Sequence, residues 1–250
     1  MATKLSVNLN KVATLRNTRA SIGIPSVTRA ARIALDAGAH GITLHPRPDQ
    51  RHIRPHDVDE VAAVLTGYPG VELNIEGNPF EGLVEHCERV HPAQATLVPD
   101  TTQQATSDHG WNLEADGERL VPVVARLRAI GCRVSLFMDA VPGAIAGAKT
   151  VGADRVELYT EPYAAEFARR ADSTDFAAFR ASALAATAAG LGINAGHDLN
   201  LANLGSFLAN VPAVLEVSIG HALIADALEL GLAETVRRYV AIVDAASKGS

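Results

Sequence analysis

Three features of this sequence predict an α/β fold, a (β/α)8 TIM barrel with extra helices. Segments with strand and helix patterns alternate strictly along the chain, which is typical of a parallel sheet. The chain contains eight such units in 250 residues, the usual length of one closed barrel. Several units repeat an Ala-rich helix that ends in Gly before a short β-branched run. We therefore expect residues 1–250 to form one barrel domain rather than an open, doubly wound sheet.

The repeated unit consists of a helix end, a tight turn and a strand start. It is clearest at residues 37–45, 130–137 and 151–159, and a looser copy lies at 190–194. Glycine closes helix ends because it adopts the left-handed conformation without steric cost. The predicted strands cover residues 5–9, 42–45, 72–76, 95–98, 134–138, 155–159, 193–195 and 215–219. The predicted helices lie near residues 26–37, 57–66, 79–90, 116–130, 143–150, 175–189, 200–209, 221–230 and 233–246, with a further piece near 163–171.

The composition limits the class of protein. A net charge of -6 argues against a nucleic-acid-binding protein, because such proteins need basic surfaces that replace counterions. Cys87 and Cys132 are the only cysteines and have no metal-type spacing, which fits a reducing cytoplasm. The first residues lack the regions of a signal peptide, and no uninterrupted apolar run approaches the length of a membrane span. We therefore expect a soluble cytoplasmic protein that binds neither nucleic acid nor membrane.

Polar side chains occupy one face of five predicted strands. In the third strand Leu73 and Ile75 share one face, while Glu72, Asn74 and Glu76 share the other. The same alternation gives a polar face to four other strands, with Asn8, Asn10, Thr43, His45, Arg47, Glu157, Tyr159, Glu216 and Ser218. The apolar face must contact the helices, so the polar face points into the lumen, where burial is costly unless the groups are paired or used. This predicts a functional site at the C-terminal strand ends; the alternative is a polar network that only satisfies itself.

Glycine-containing loops follow the last two predicted strands. Gly220 and His221 connect the eighth strand to a helix, and Gly196, His197 and Asp198 follow the seventh strand. Glycine lets the backbone approach a ligand closely, and the free N–H groups at a helix start bind anions. Loops at these two places are the usual phosphate site of barrels. The loops therefore predict phosphate binding, with simple tight turns as the alternative.

A basic segment follows the second predicted strand. Residues 45–54 contain two His and three Arg, among them His45, Arg47 and His52. We interpret this segment as a second anion site, and a solvated basic loop is the alternative. His52 and His56 have helical spacing but no accompanying Glu, so we do not expect a metal site there.

Two more segments between the predicted elements carry candidate residues. Lys11, Arg16 and Arg19 follow the first strand, in a segment that we interpret as a loop. Lys11 is the only lysine near a C-terminal strand end, so a Schiff-base aldolase would depend on it alone. The long polar segment 99–112 has the length of a lid, with Thr106 as its hydrogen-bonding tip.

Two carboxyl groups and two imidazoles are candidates for proton transfer. Glu76 ends a strand, and Glu157 lies inside an otherwise apolar strand. Shielding from water raises the pKa of a carboxyl group, so that it can act as a base near neutral pH. His45 and His197 can exchange protons with the same substrate from neighbouring loops. The convergence of these four groups at one end of the barrel predicts an acid–base enzyme.

Short motifs occur in a fixed order along the chain: residues 7–8, 13–19, 41–45 with Arg47, 51–53, 74–76, 97–99, 134–139, 157–160 with Tyr163, 190–197 and 218–222. In this order they resemble the pyridoxine 5′-phosphate synthase family of vitamin B6 biosynthesis. The resemblance extends from residue 7 to about residue 232, which is nearly the whole chain.

The resemblance implies a ring-closing condensation. 1-Deoxy-D-xylulose 5-phosphate and 3-amino-2-oxopropyl phosphate would give pyridoxine 5′-phosphate, phosphate and water. The family is a (β/α)8 barrel that usually forms a homo-octamer and needs no metal or organic cofactor. By resemblance, His45 and Glu76 accept protons, His197 donates a proton and Glu157 stabilises a transition state. The substrate-binding residues implied are Asn8, Arg19, Arg47, His52, Thr106, Asp198, Gly220 and His221.

Three places differ from the family pattern. Asn10 and Lys11 stand where many members carry Asp-His, and we expect both to contact substrate in their place. Asp198 stands where other members carry Gly, and Glu161 replaces another Gly.

Two other functions are compatible with the same loops. One is a phosphosugar isomerase or aldolase barrel. The other is a phospholigand-binding sensor without turnover, against which the four acid–base candidates argue. Detection of turnover would exclude the sensor.

Overall fold

Eight parallel strands close into a barrel in chain order in the computed structural model, which describes residues 2–104, 106–171 and 174–248. The strands are β1 (Lys4–Asn8), β2 (Gly41–Leu44), β3 (Glu72–Gly77), β4 (Gln94–Leu97), β5 (Arg133–Met138), β6 (Arg155–Tyr159), β7 (Gly192–Gly196) and β8 (Val214–Ile219). β1 pairs with β8 to complete the circle, with Ser6 opposite Ser218. Each predicted strand overlaps one observed strand, and the (β/α)8 barrel is confirmed.

Helices surround the barrel. They are α1 (Asn10–Thr18), α2 (Val27–Asp36), α3 (Pro55–Leu65), α4 (Val84–Val90), α5 (Leu113–Ala129), α6 (Pro142–Ile145), α7 (Gly147–Val151), α8 (Glu161–Arg170), α9 (Ala177–Ala188), α10 (Leu204–Asn210), α11 (His221–Leu230) and α12 (Leu232–Lys248). A 3-10 turn at Ala20–Ile22 precedes α2. A turn at Pro79–Leu83, in which Glu81 and Gly82 leave the helical conformation, precedes α4. Within the described part of the chain, no helix combines the length and apolarity needed to cross a membrane.

The segment after β1 is a helix, and its interpretation as a loop was wrong. Residues Asn10–Thr18 form α1, whose buried face consists of Val12, Ala13 and Arg16. A helix is recognised in a sequence by the apolar periodicity of its buried face. Because an arginine occupies this face, the amphipathic pattern of α1 is hidden.

Arg16 is buried because Asp57 neutralises it. The guanidinium donates through Nη1 and Nη2 to the two carboxylate oxygens of Asp57, with 2.9 Å between Nη2 and Oδ2. Nη2 also donates to the backbone carbonyl of His52 at 3.3 Å. A buried bidentate pair of this kind is costly to break, since the remaining charge would lack a partner. Arg16 therefore joins α1 to α3 and is not a free anion-binding group.

The apolar core lies between the barrel and the helices. Outward-facing strand residues such as Val7, Ile42 and Ile75 are fully buried in one large apolar cluster with the helices. The lumen holds buried polar residues instead, including Thr43 and Asn74. The alternation of the strands predicts both faces correctly, because successive side chains point to opposite sides of a strand.

A layer of paired polar groups fills the lumen near the N-terminal strand ends. Glu72 accepts hydrogen bonds from Lys4 at 3.0 Å and from Arg133 at 2.6 Å. Glu216 lies 3.4 Å from a guanidinium nitrogen of Arg155. The charged groups of this layer are paired with one another. For this layer, therefore, the alternative from the sequence analysis, a polar network with only a structural role, is correct. The candidate site occupies the opposite end of the lumen.

Candidate active site

A cavity of about 390 Å³ opens at the C-terminal ends of the strands. Thirteen of the fourteen residues predicted for the site line it: Asn8, Asn10, Lys11, His45, Arg47, His52, Glu76, Thr106, Glu157, His197, Asp198, Gly220 and His221. Residues from seven separate segments of the chain therefore meet in one place. Within the predicted lid 99–112, Ala105 lies outside the described residues.

Arg19 is the predicted site residue that the structure does not bring to the cavity. The chain leaves α1 at Arg19, with φ of -141°, and its side chain is exposed. The lining also contains residues that the sequence analysis did not select: Thr14, Arg51, Val98, Ser107, Phe137 and Ser218. Arg51 belongs to the basic segment and Ser218 to the polar strand face, so both carried a usable signal. The other four carry none, because their place depends on how the loops fold over the barrel.

Glu76 lies at the end of β3, and both of its carboxylate oxygens accept hydrogen bonds. Asn8 donates from Nδ2 to Oε2 at 3.2 Å, and Ser218 donates from Oγ to Oε1 at 3.3 Å. Burial raises the pKa of Glu76 to about 8, although the hydrogen bond from Ser218 opposes the rise. A carboxyl group with this pKa holds and releases a proton near neutral pH, which suits a general base.

Glu157 faces the cavity from β6 and is less well satisfied. Its Oε2 is buried and has no hydrogen-bond partner among the described residues. Burial raises the pKa of Glu157 well above its usual range, and the neighbouring Glu76 and Glu216 raise it further. A Cβ atom on Gly196 would lie 2.9 Å from Oε1, so glycine is needed there to make room for the carboxyl group. Its unpartnered oxygen is therefore available for a hydrogen bond with a ligand in the cavity.

The imidazoles of His45 and His52 pack edge to face, with ring centroids 5.6 Å apart. Burial, followed by the charge of Arg47, lowers the pKa of His45 to about 3. Burial, followed by His45, lowers the pKa of His52 to about 3. Both rings are therefore neutral at neutral pH, and His45 can accept a proton. Nδ1 of His52 accepts the backbone N–H of Ile53 at 3.0 Å, so its Nε2–H is available as a donor.

Arg47 and Arg51 connect the basic segment to the loop between β4 and α5. Arg47 donates from Nη1 to Asp100 at 2.6 Å and from Nη2 to the carbonyl of Gln104 at 3.1 Å. Arg51 donates to the carbonyls of Gln104 at 2.8 Å and Thr102 at 2.6 Å. Nε of Arg47 is buried without a hydrogen-bond partner among the described residues. Two guanidinium groups thus face the cavity and also hold the loop over it.

His197 projects from the end of β7 toward the same loop. Its Nε2 lies 2.7 Å from Oγ1 of Thr106, and its Nδ1 contacts the carboxylate of Asp198. The ring of Tyr159 packs against it, with centroids 5.5 Å apart. Thr106 therefore does lie at the cavity, as its predicted place in the loop implies.

The start of α11 forms another wall of the cavity. Gly220 precedes the helix and supplies no side-chain cap, so the first N–H groups of α11 are not occupied by a cap. Free N–H groups at a helix start favour an anion. The helix therefore supplies a second place for negative charge, separate from the arginines of the basic segment.

The fold and the cavity together define an acid–base enzyme of the (β/α)8 barrel class. The chain matches the family described as pyridoxal phosphate biosynthesis protein PdxJ over residues 5–245, and it belongs to that family. A pyridoxine 5′-phosphate synthase of Albidiferax ferrireducens is 59% identical over 247 residues, covering 96% of this chain and 97% of that protein. A pyridoxine 5′-phosphate synthase of Xanthomonas oryzae pv. oryzae is 55% identical over 257 residues, covering 100% of both.

Similar solved structures share the fold at low sequence identity. Thiamine phosphate pyrophosphorylase from Pyrococcus furiosus is 11% identical with a TM-score of 0.62, over 98% of this chain and 96% of that chain. Phosphoribosyl anthranilate isomerase from Thermotoga maritima is 12% identical with a TM-score of 0.59, over 97% and 99% of the two chains. At this identity the likeness concerns the barrel alone.

Proposed function

We propose that this chain condenses 1-deoxy-D-xylulose 5-phosphate with 3-amino-2-oxopropyl phosphate to pyridoxine 5′-phosphate, phosphate and water. The observation that carries the proposal is the meeting of two buried carboxyl groups and two imidazoles in one cavity with two anion-favouring walls. Two phosphorylated substrates need two such walls. Ring closure with loss of water needs several groups that move protons. The relatives named pyridoxine 5′-phosphate synthase support the same reaction.

The charge state of each acid–base group determines whether it accepts a proton, donates a proton or donates a hydrogen bond. His45 is neutral and Glu76 titrates near neutral pH, so both act as proton acceptors. His197 donates a proton to a leaving oxygen. Glu157 stays protonated and stabilises negative charge that develops on a substrate oxygen, by donating a hydrogen bond. Substrate removes the remaining water from the cavity, which strengthens each of these interactions.

The two phosphates bind at two separate walls of the cavity. The side of the basic segment, with Arg47, His52 and Lys11, binds the ketose phosphate. The start of α11, with Gly220 and His221, binds the phosphate of the amino ketone through backbone N–H groups. The amides of Asn8 and Asn10 and the Thr106 hydroxyl orient the substrates between them, and the Asp198 backbone contacts the amino ketone.

Incubation with both substrates tests the function directly. We expect a fluorescent pyridine product and release of inorganic phosphate, whereas either substrate alone gives neither. An isomerase or aldolase barrel would convert a single phosphosugar instead, and a sensor would bind without turnover. Binding of both substrates without a pyridine product would reject the proposal.

Removal of the Arg47 guanidinium is expected to weaken binding of the ketose phosphate. Arg47→Ala should raise KM for this substrate about 10- to 100-fold, the usual value of one or two charge-assisted hydrogen bonds, while KM for the amino ketone changes little. Steady-state kinetics with each substrate varied in turn measure the effect.

The matched control is Arg126→Ala, because Arg126 is an exposed arginine of α5 that pairs with Glu88 away from the cavity. Arg47→Ala also leaves the buried Asp100 without its charged partner. The double variant Arg47→Ala/Asp100→Asn removes that carboxylate and should keep the raised KM. Equal KM values in Arg47→Ala and Arg126→Ala would contradict the assignment.

The pH dependence of kcat/KM is expected to follow Glu76. The base must be ionised, and its pKa is raised to about 8 by burial. Activity should therefore rise with pH through the neutral range and level off above about pH 8. His45 contributes no change there, because its pKa is lowered to about 3. A profile that is flat or falling between about pH 6 and pH 8 would be inconsistent with Glu76 as the base.

We also propose that the enzyme acts in the cytoplasm as a homo-octamer. The described part of the chain exposes Leu15, Ile22 and Ile24 in one stretch around Arg19, with exposures of 51%, 51% and 62%. Exposed apolar clusters of this kind favour contact with a second chain. Cys87 and Cys132 are free and buried, which suits a reducing compartment.

A further inference from the structure

His197 is contacted on three sides. The carboxylate of Asp198 contacts Nδ1, the hydroxyl of Thr106 lies 2.7 Å from Nε2, and the ring of Tyr159 packs against the imidazole. An ionised carboxylate only accepts hydrogen bonds. Nδ1 of His197 must therefore carry the proton, and the lone pair of Nε2 in the neutral ring points toward Thr106 and the cavity.

We propose that Asp198 is a positioning residue that fixes the tautomer and direction of the His197 ring. With Nδ1 committed to Asp198, Nε2 is the nitrogen that takes up a proton and passes it to substrate. The carboxylate also stabilises the positive charge of the ring in its protonated state. A carboxylate that orients an imidazole through the nitrogen remote from the substrate is a general device in acid–base enzymes.

The main chain around this pair is held in place. His197 has φ of 87°, a left-handed conformation that is unfavourable for a non-glycine residue. The backbone N–H of Asp198 donates to Oγ1 of Thr160 at 3.3 Å, and Nδ2 of Asn203 donates to the carbonyl of Asp198 at 3.2 Å. Thr160 also donates to the carbonyl of Gly196. Contacts on both sides of the unfavourable residue therefore aim the Asp198 carboxylate at the His197 ring.

The contact with Nδ1 of His197 is made by the side chain of Asp198 and not by its backbone. A glycine at this position could offer its backbone to substrate but could not bind the imidazole. The inference deepens the proposed function, since it depends on His197 as the proton donor. It assigns the Asp198 side chain a role that is separate from any backbone contact with substrate.

The test is the pair of variants Asp198→Ala and Asp198→Glu, measured by kinetics and by NMR. Asp198→Ala keeps the backbone and should lower kcat about 10- to 100-fold, as loss of an orienting partner usually does, with KM within about threefold. Long-range 1H–15N spectra of histidine-labelled protein should show His197 changing from the Nδ1–H to the Nε2–H tautomer. Asp198→Glu should keep the Nδ1–H tautomer and recover most of kcat.

The control is Glu161→Ala, which removes an exposed carboxylate at the same end of the barrel and should change neither readout. Signals of His197 are assigned by their loss in His197→Gln. An unchanged tautomer in Asp198→Ala would overturn the proposal, whether or not kcat falls. The proposed function fails separately, if the unmodified chain forms no pyridine product.

Discussion

The Glu76→Gln variant should lose turnover by about a thousandfold while substrate binding changes by only a few-fold. Removal of a general base typically costs two to four orders of magnitude in rate. The amide keeps the size of the carboxyl group. Its oxygen can accept the hydrogen bond from Asn8, and its NH2 group can donate to the Ser218 hydroxyl, so the cavity should keep its shape. Steady-state kinetics and direct binding measurements separate the two effects.

The same variant is expected to be more stable than the unmodified chain at alkaline pH. The pKa of Glu76 is about 8 in the folded chain and near 4.5 when unperturbed. Between these values the folded state retains a proton that the unfolded state releases, so the free energy of unfolding falls as pH rises. Glutamine has no proton to lose, so the substitution removes this loss of stability, which is on the order of 5 kcal/mol above about pH 8. Thermal unfolding across pH measures it.

Glu72→Gln is the matched control, because Glu72 lies on the same face of the same strand at the other end of the lumen. Its carboxylate pairs with Lys4 and Arg133 instead of facing the cavity. Glu72→Gln should leave kcat unchanged and lower stability modestly. If the two variants have the same kcat, Glu76 is not the base.

The second large effect is expected for Gly110→Ala. A Cβ atom on Gly110 would lie 2.5 Å from Cα of Met138 and closer still to the amide nitrogen of Asp139. Both are backbone atoms at the end of β5, so neither can rotate away. We expect a loss of about 3 kcal/mol or more in the free energy of unfolding, because insertion of a methyl group at a backbone contact forces the chain apart.

The Gly110→Ala substitution should also affect the active site, because it displaces the loop that ends at Gly110. The next residue, Trp111, donates its backbone N–H to Phe137 at 3.0 Å and its indole N–H to Leu97 at 2.8 Å. Trp111 is the only tryptophan of the sequence, so its fluorescence reports on this anchor alone. We expect a shifted emission and a reduced kcat, since the loop also carries Thr106.

Gly143→Ala is the control for this substitution. A Cβ atom on Gly143 would meet nothing within 4 Å, and the residue lies in α6. Alanine should be neutral or slightly stabilising there, because it favours the helix. Unchanged unfolding and fluorescence in Gly110→Ala would show that the loop end can move without cost.

Local patterns were sufficient for the barrel and for most of the site. Strands and helices alternate because parallel strands need crossover connections, and each element shows its own hydrophobic periodicity in the local sequence. The same holds for the polar face of the strands, because side chains alternate with period two. Glu76 and Glu157 could therefore be recognised as lumen residues before any distance was known.

Local patterns failed where a charged residue has a distant partner. Arg16 and Arg19 are both arginines of one short segment, yet Arg16 is buried against Asp57 and Arg19 is exposed. Asp57 is 41 residues away from Arg16, so nothing in the segment itself indicates the pair. The helical pattern of α1 was hidden for the same reason.

The sequence by itself determined the closed barrel, the end at which the site lies and the residue types that face it, because each follows from short-range periodicity. The tertiary structure alone decided which of these groups are paired and which are available. It separates Glu72, which is held by two cations, from Glu157, whose buried Oε2 has no partner among the described residues. Pairing and burial set the charge of each group, and both depend on distances between segments that are far apart in the chain.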